Sequence, residues 1–237
     1  MDKLIKFLVL RKKKLKKKYL PLHEPHLSKS DEKEILNGIK TGYVSTAGND
    51  ISKFENKLKK VTNSKFVIST INGTSAIHIG LKALGVCSDD EVLLPSISFV
   101  AAANAITYNN ASPHFIDSEM EHFGVDPVKL DLYLKKNTYI NKNFCINRKT
   151  KKIIRVLIVV HVFGHPAKIN EIISIAKKYK IKVLEDAAEA LGSFYRKKHV
   201  GTFGDIGILS FNGNKIVTTG VGGAIITKNS SYAKLSW

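Results

Sequence analysis

At 237 residues, 43% of them hydrophobic, the chain is long enough to build one large or two small domains around a real core. Its two cysteines, Cys87 and Cys145, stand far apart with no CxxC or Cys/His cluster, which argues against a disulfide framework or a zinc site and fits a reducing cytoplasm. The formal net charge of +18 invites a nucleic-acid or anionic-membrane reading, but much of it is local: residues 1–18, MDKLIKFLVLRKKKLKKK, hold nine Lys or Arg against one Asp, or +8 of the total.

That block reads as a flexible basic arm, residues 1–18, ahead of a domain over residues 19–237. The apolar run from Leu4 to Leu10 is too short to span a bilayer, and the positive cluster follows it rather than preceding it as in a signal peptide, so secretion is not expected. Apolar residues beside a polybasic block can still supply both components of a weak peripheral contact with anionic lipid. A nucleic-acid partner is not expected.

From residue 50 short apolar runs alternate with segments of helical period, the pattern of an α/β domain in which helices flank a mostly parallel sheet. Phe66, Val67 and Ile68 mark a strand over 65–69. A helix over 74–84 follows, with Ala76, Ile77, Gly80, Leu81 and Leu84 on one face and Gly85 as its stop. Residues 91–95 form a second strand, 100–108 a helix and 112–117 a third strand. Asp126 and Pro127 supply an N-cap and first-turn proline for a helix to about residue 136. The polar, basic stretch 137–152 reads as an exposed loop. Residues 153–162 are apolar apart from Arg155 and His161, which suits a strand buried on both faces. A helix over about 168–179 leads to a strand over 182–185. Two further strands, 206–211 and 223–227, lie among glycine-rich turns, and residues 231–237 could begin a helix.

Several polar residues fall where strands end. Gly73, Thr74 and Ser75 stand at a strand-to-helix turn, where free N–H groups, two hydroxyls and the helix dipole form a phosphate cradle. An ordinary N-cap would look the same. Asp186 follows the apolar run KVLE, at the carboxyl end of a strand where open α/β sheets bind ligands; a carboxylate there can hold a proton on a ring nitrogen, or cap a helix over 187–191. Ser210 and Lys215 occur in LSFNGNKIVTTGVGG, where a strand runs into glycines that permit close backbone approach, and a lysine in apolar or cationic surroundings can act as an imine-forming nucleophile. Most lysines in so basic a chain are simply solvated. His161 and His165 lie on an apolar strand and the turn after it, which does not suit a metal site, and Gly201, Gly204 and Gly207 read as turn formers.

In order along the chain, the segments PLHEP from Pro21, GYVSTAGNDISKFE, INGTSAIHIGLKALG, DEVLLPSISFVAAANAI, EDAAEALGS and GTFGDIGILSFNGNKIVTTGVGG resemble the DegT family of sugar aminotransferases, a branch of the fold-type-I pyridoxal-phosphate enzymes. The resemblance implies an aspartate-aminotransferase-like large domain with the C-terminal small domain missing beyond Trp237, hence a truncated chain. It implies pyridoxal 5'-phosphate as cofactor, with Lys215 as the Schiff-base lysine that also shuttles a proton. Asp186 would sit at the pyridine nitrogen, Gly73, Thr74, Ser75 and Ser210 at the phosphate, Phe99 against the ring face and Glu189 near the ring. Phe99 would serve equally as core packing, and Ser45 and Thr46 could line the substrate side.

The substrate implied is a nucleotide-linked 4-keto sugar of bacterial surface-glycan biosynthesis. Glutamate would be the amino donor and a cytoplasmic homodimer the working form. Two alternatives stand beside this reading. A sugar dehydratase of the same family would lack the lysine that Lys215 supplies, and a truncated, inactive member would act only as a binding or dimer-forming fragment.

Overall fold

The computed structural model describes residues 1–16, 18–20, 24–46 and 48–237. Pro21, where the resemblance begins, and Ala47 of the GYVSTAG loop lie outside them.

Three helices precede the sheet: α1 (Asp2–Lys14), α2 (Lys29–Thr41) and α3 (Asp50–Thr62). Residues 2–14 are thus a helix where a flexible arm was expected. Helix α2 begins on a reciprocal cap, with Ser28 Oγ accepting from the Asp31 N–H and the Asp31 carboxylate accepting from the Ser28 N–H, and it stops at Gly42 with φ +74°. Then come β1 (Phe66–Thr70), α4 (Gly73–Ala83), β2 (Glu91–Pro95), α5 (Val100–Tyr108), β3 (Ser112–Ile116) and α6 (Pro127–Asn137). Asp126 caps α6 through its side chain, with Pro127 in the first turn, as the sequence predicts.

The stretch 137–152 is not a loop. It forms the hairpin β4 (Thr138–Asn141) and β5 (Phe144–Asn147), and β5 pairs antiparallel with β6 (Ile153–Val160). Glu91, buried, takes hydrogen bonds from Asn147 Nδ2 at 2.9 Å and Thr150 Oγ1 at 2.6 Å, and so ties the hairpin to β2. A 3-10 turn (Val162–Gly164) ends the long apolar run earlier than its composition suggests. The chain continues through α7 (Ile169–Lys178), β7 (Lys182–Asp186), the small ribbon β8 (Phe194–Tyr195) with β9 (Lys198–His199), β10 (Ile206–Ser210), β11 (Gly223–Thr227) and α8 (Ser230–Ser236).

The main sheet runs β1-β11-β10-β7-β6-β2-β3, and along this path only β11 opposes its neighbours. Strand β6 shows why both faces are covered. Its Val156 and Ile158 enter one core with Ile77, Leu81, Leu84 and Ile106, while Leu157 and Val159 enter another with Leu130, Leu134, Ile169 and Ile172. Alternate side chains of a strand point to opposite faces, so helices α4 and α5 cover one side and α6 and α7 the other. Gly80 lets α4 lie close to the sheet, since a Cβ there would stand 3.1 Å from Leu184 Cδ1.

Candidate active site

Strands β1, β2, β3, β6, β7 and β10 share one direction, so their carboxyl ends line a single edge of the sheet, where open α/β sheets place their ligands. The sequence-predicted residues stand on the segments that leave this edge. Gly73, Thr74 and Ser75 open α4 after β1, Phe99 follows β2, Asp186 is the last residue of β7, Ser210 is the last of β10, and Lys215 lies in the turns between β10 and β11.

The first group is built by close backbone approach. Gly223 pairs with Thr70 on one side and Ser210 on the other. A Cβ at Gly223 would stand 2.7 Å from the Gly73 nitrogen, and one at Gly73 would stand 2.9 Å from Ser210 Cβ. Only residues without side chains let the start of α4, Ser210 and the start of β11 meet. Asn72 caps the helix by accepting the Ser75 N–H at 2.7 Å, and its carbonyl takes the Ala76 N–H at 3.1 Å. Among the described residues, the N–H groups of Gly73 and Thr74 and the hydroxyls of Thr74, Ser75 and Ser210 have no hydrogen-bond partner. Unpaired donors at a positive helix end make an anion cradle. Asn72 is thus the N-cap, and the unpaired donors beside it are what a cradle would need.

The second group gathers around Lys215. Its side chain is only 11% exposed, and its Nζ lies 2.8 Å from Glu189 Oε1 and 5.7 Å from the centre of the Phe99 ring. Phe99 is 68% exposed, so it is not core packing. Asp186 is 6% exposed, and burial pushes its carboxyl above the usual aspartate range, against the pull of the Ala188 N–H and the charge of Lys215. Its Oδ1 accepts from Ala188 at 3.1 Å, and among the described residues no cation forms an ion pair with it. No helix follows over 187–191 for Asp186 to cap. Ser45 and Thr46 are exposed between α2 and α3, and no described contact brings them to Lys215.

Beneath Asp186 lies a buried polar group that sequence reasoning missed. His161 donates its backbone N–H to the Asp186 carbonyl at 3.1 Å, and its Nε2 is 2.9 Å from Glu185 Oε2. Since His161 Nδ1 accepts the Ala167 N–H at 3.2 Å, Nε2 carries the proton and donates to Glu185. Glu185 also accepts N–H groups from Gly201, Phe203 and Gly204 at 2.8, 2.6 and 2.5 Å. Burial pushes this carboxyl up, but the His161 and backbone hydrogen bonds outweigh it and hold Glu185 below the usual range. The glycines in GTFGDIG are thus more than turn formers, because Gly201 and Gly204 donate to a buried carboxylate. The available signal was a glutamate and a histidine next to the apolar stretches of β7 and β6.

Away from this edge, a cavity of about 490 Å³ opens beside Lys177, Lys180, Lys182, Phe203 and Asp205, at the opposite end of β7 from Asp186. Glu119, Glu121 and His122 also bring ligand atoms together, but Lys168 Nζ already stands 3.2 Å from Glu121 Oε2.

Residues 25–236 match the DegT/DnrJ/EryC1/StrS aminotransferase family. Over 214 residues the chain is 37% identical to the GDP-perosamine synthase of Escherichia coli O157:H7, which covers 90% of this chain and 54% of that protein. It is 35% identical, also over 214 residues, to the putative pyridoxal phosphate-dependent aminotransferase EpsN of Bacillus subtilis, with coverage of 90% and 53%. The X-ray structure of the aminotransferase from Psychrobacter cryohalolentis superposes with a TM-score of 0.80 at 26% identity, over 92% of this chain and 51% of that one. The chain spans about half the length of the curated relatives it matches. Sequence and architecture agree over nine-tenths of its length, and the chain belongs to the DegT/DnrJ/EryC1/StrS aminotransferase family.

Proposed function

We propose that this chain is the pyridoxal-phosphate-binding part of an aminotransferase that acts on a nucleotide-linked 4-keto sugar in bacterial surface-glycan biosynthesis. Glutamate is the proposed amino donor, and a cytoplasmic homodimer the proposed working form. The observation that carries the reading is the presence, on one sheet edge, of a lysine amine held at 2.8 Å by Glu189, a buried aspartate without a cation, and a helix end with free donors. The residues present fit pyridoxal 5'-phosphate: the cradle at Gly73, Thr74, Ser75 and Ser210 suits a phosphate, and Asp186 suits a protonated ring nitrogen.

When bound, that cofactor supplies a carbonyl carbon to which an amine can attach and a protonated ring that draws electron density from the carbon losing its proton. Asp186 would favour a proton on the ring nitrogen, and a cation beside it would offset the burial that pushes its own carboxyl up. Lys215 would hold the cofactor through its Nζ, and as a free amine at the same place would move a proton between the reacting carbons. Glu189 holds Nζ in place, and Phe99 offers a flat apolar face beside it.

The sugar substrate is supported by kinship with a GDP-perosamine synthase. A partner subunit is supported by the apolar Ile216, Val217 and Val221, exposed on the segment that carries Lys215. The test is to mix the chain with pyridoxal phosphate, reduce with borohydride and map the adduct, then assay amino transfer from glutamate to a nucleotide-linked 4-keto sugar. Attachment at Lys215 with transfer supports the proposal, attachment without transfer marks a binding fragment, and attachment elsewhere overturns the site.

A further inference from the structure

Helix α1 lies outside everything the site requires. The family match starts at residue 25, and none of the thirteen residues of α1 is buried. An isolated helix of this length is marginal in water, and most helices in folded proteins are held by packing an apolar face. The apolar face of α1 has no such cover: Leu4, Ile5, Phe7 and Leu8 are between 43% and 60% exposed. At 100° per residue these four fall on one side, continued by Leu15 at the carboxyl cap and shared at the basic end by Arg11 and Lys12, while Lys3, Lys6, Lys13 and Lys14 fall on the other, with Val9 and Leu10 among them. Arg11, Lys12, Lys13 and Lys14 crowd the last turn, and their long stems can lie along apolar surface with the charges outward.

We propose that α1 lies in the plane of an anionic lipid surface, with Leu4, Ile5, Phe7 and Leu8 among the acyl chains and the basic residues at the headgroups. Charge complementarity chooses the occupant, because residues 1–18 carry nine Lys or Arg against one Asp. The apolar face chooses lipid over nucleic acid, whose phosphates would need only the lysines. At thirteen residues α1 is about 20 Å long, short of the hydrocarbon core, and no helix among the described residues is long and apolar enough to cross a membrane. In-plane attachment is the geometry that remains for α1, and it would hold the sheet-edge site close to a membrane.

Vesicles of equal parts phosphatidylglycerol and phosphatidylcholine, sedimented with the full chain, test this. The chain should bind them, leave pure phosphatidylcholine vesicles unbound, and come off as salt is raised. Leu4→Glu with Leu8→Glu keeps every basic residue and should weaken binding about tenfold or more, as should Lys12→Gln with Lys13→Gln and Lys14→Gln. A chain lacking residues 2–14 should not bind and should melt at the unmodified temperature. Failure of the full chain to bind overturns the proposal. So does unchanged vesicle binding by the leucine variant, or binding to a DNA duplex that the leucine variant retains while vesicle binding is absent. The outcome is independent of cofactor attachment at Lys215, so it stands or falls apart from the proposed enzymatic function.

Discussion

Lys215 Nζ and Glu189 Oε1 stand 2.8 Å apart, joining the turn after β7 to the turn after β10. The contact draws a lysine from a largely exposed segment into a nearly buried position beside the Phe99 ring. Asp186, at the end of β7 just before the turn that carries Glu189, is left without an ion pair among the described residues. The chain therefore holds the Lys215 amine with one carboxylate and leaves a second, Asp186, unpaired beside it.

Lys215→Ala should abolish the borohydride-reducible attachment of pyridoxal phosphate. Lys228→Ala, changed at an exposed position just after β11, is the control and should attach as the unmodified chain does. Mass mapping of the reduced protein reads the result, and equal trapping in both variants would show that Lys215 is not the attachment residue.

Asp186→Asn should trade stability against chemistry. Burial raises this carboxyl above its ordinary value, so without cofactor the native chain binds more protons than the unfolded chain, and stability falls as pH rises above about 3.9. The asparagine variant escapes that cost. In urea melts it should be more stable than the unmodified chain at pH 7, and by less at pH 4. With cofactor and glutamate, in a form of the protein that turns over, its half-reaction should slow about 100-fold or more, since an amide cannot hold the ring proton. A stability gap that is equal at both pH values would mean that Asp186 is not a buried charge.

The strands and helices that place the site were legible because their apolar residues follow the periods of 2 and 3.6, and because Asp126, Pro127 and Gly85 mark ends chemically. The hairpin β4–β5 was not. Its alternation of Thr138, Tyr139 and Ile140 against Phe144, Cys145 and Ile146 is diluted by Asn and Lys, and its anchor, Asn147 to Glu91, is a contact between residues distant in sequence. The same limit hid His161 and Glu185. His161 just after β6 and Glu185 near the end of β7 are far apart in sequence, and only the parallel pairing of β6 with β7 brings them together. The position of Gly73, Thr74, Ser75 and Ser210 at strand ends was readable because it is a local property, whereas Lys215 was singled out by the family resemblance.

Glu185→Gln should be more damaging than its conservative form suggests. The carboxylate accepts four hydrogen bonds, and an amide would turn an NH₂ toward N–H groups of His161 or of the loop 201–204. Breaking a buried charged network of this kind costs about 3–5 kcal/mol. The folded carboxyl is held below its unfolded value, so its contribution is present above pH ~4.3 and is lost as pH falls through the folded value. The difference in urea stability between unmodified chain and variant should therefore be large at pH 7 and shrink as pH drops below about 4. A difference that does not depend on pH would assign the role to packing alone.

Gly73→Ala tests the cradle at its tightest point. Alanine suits a helix better than glycine by about 0.5–1 kcal/mol, so on propensity alone the substitution should stabilise α4. The added Cβ, however, would meet Ser210 Cβ at 2.9 Å and Ser210 Oγ at 3.0 Å, and must push the hydroxyl or the helix end aside. Hydrogen bonds to a charged group are worth about 1.5–3 kcal/mol each, so the loss of one or two should weaken pyridoxal phosphate binding by about tenfold or more. Pyridoxal, which lacks the phosphate, should bind the variant and the unmodified chain within about threefold of each other, because neither Lys215 nor Asp186 has moved. Equilibrium titration with the two aldehydes separates the outcomes. Equal weakening for both would mean that the substitution disturbs the whole sheet edge rather than an anion cradle, and unchanged binding for both would remove Gly73 and Ser210 from the phosphate site.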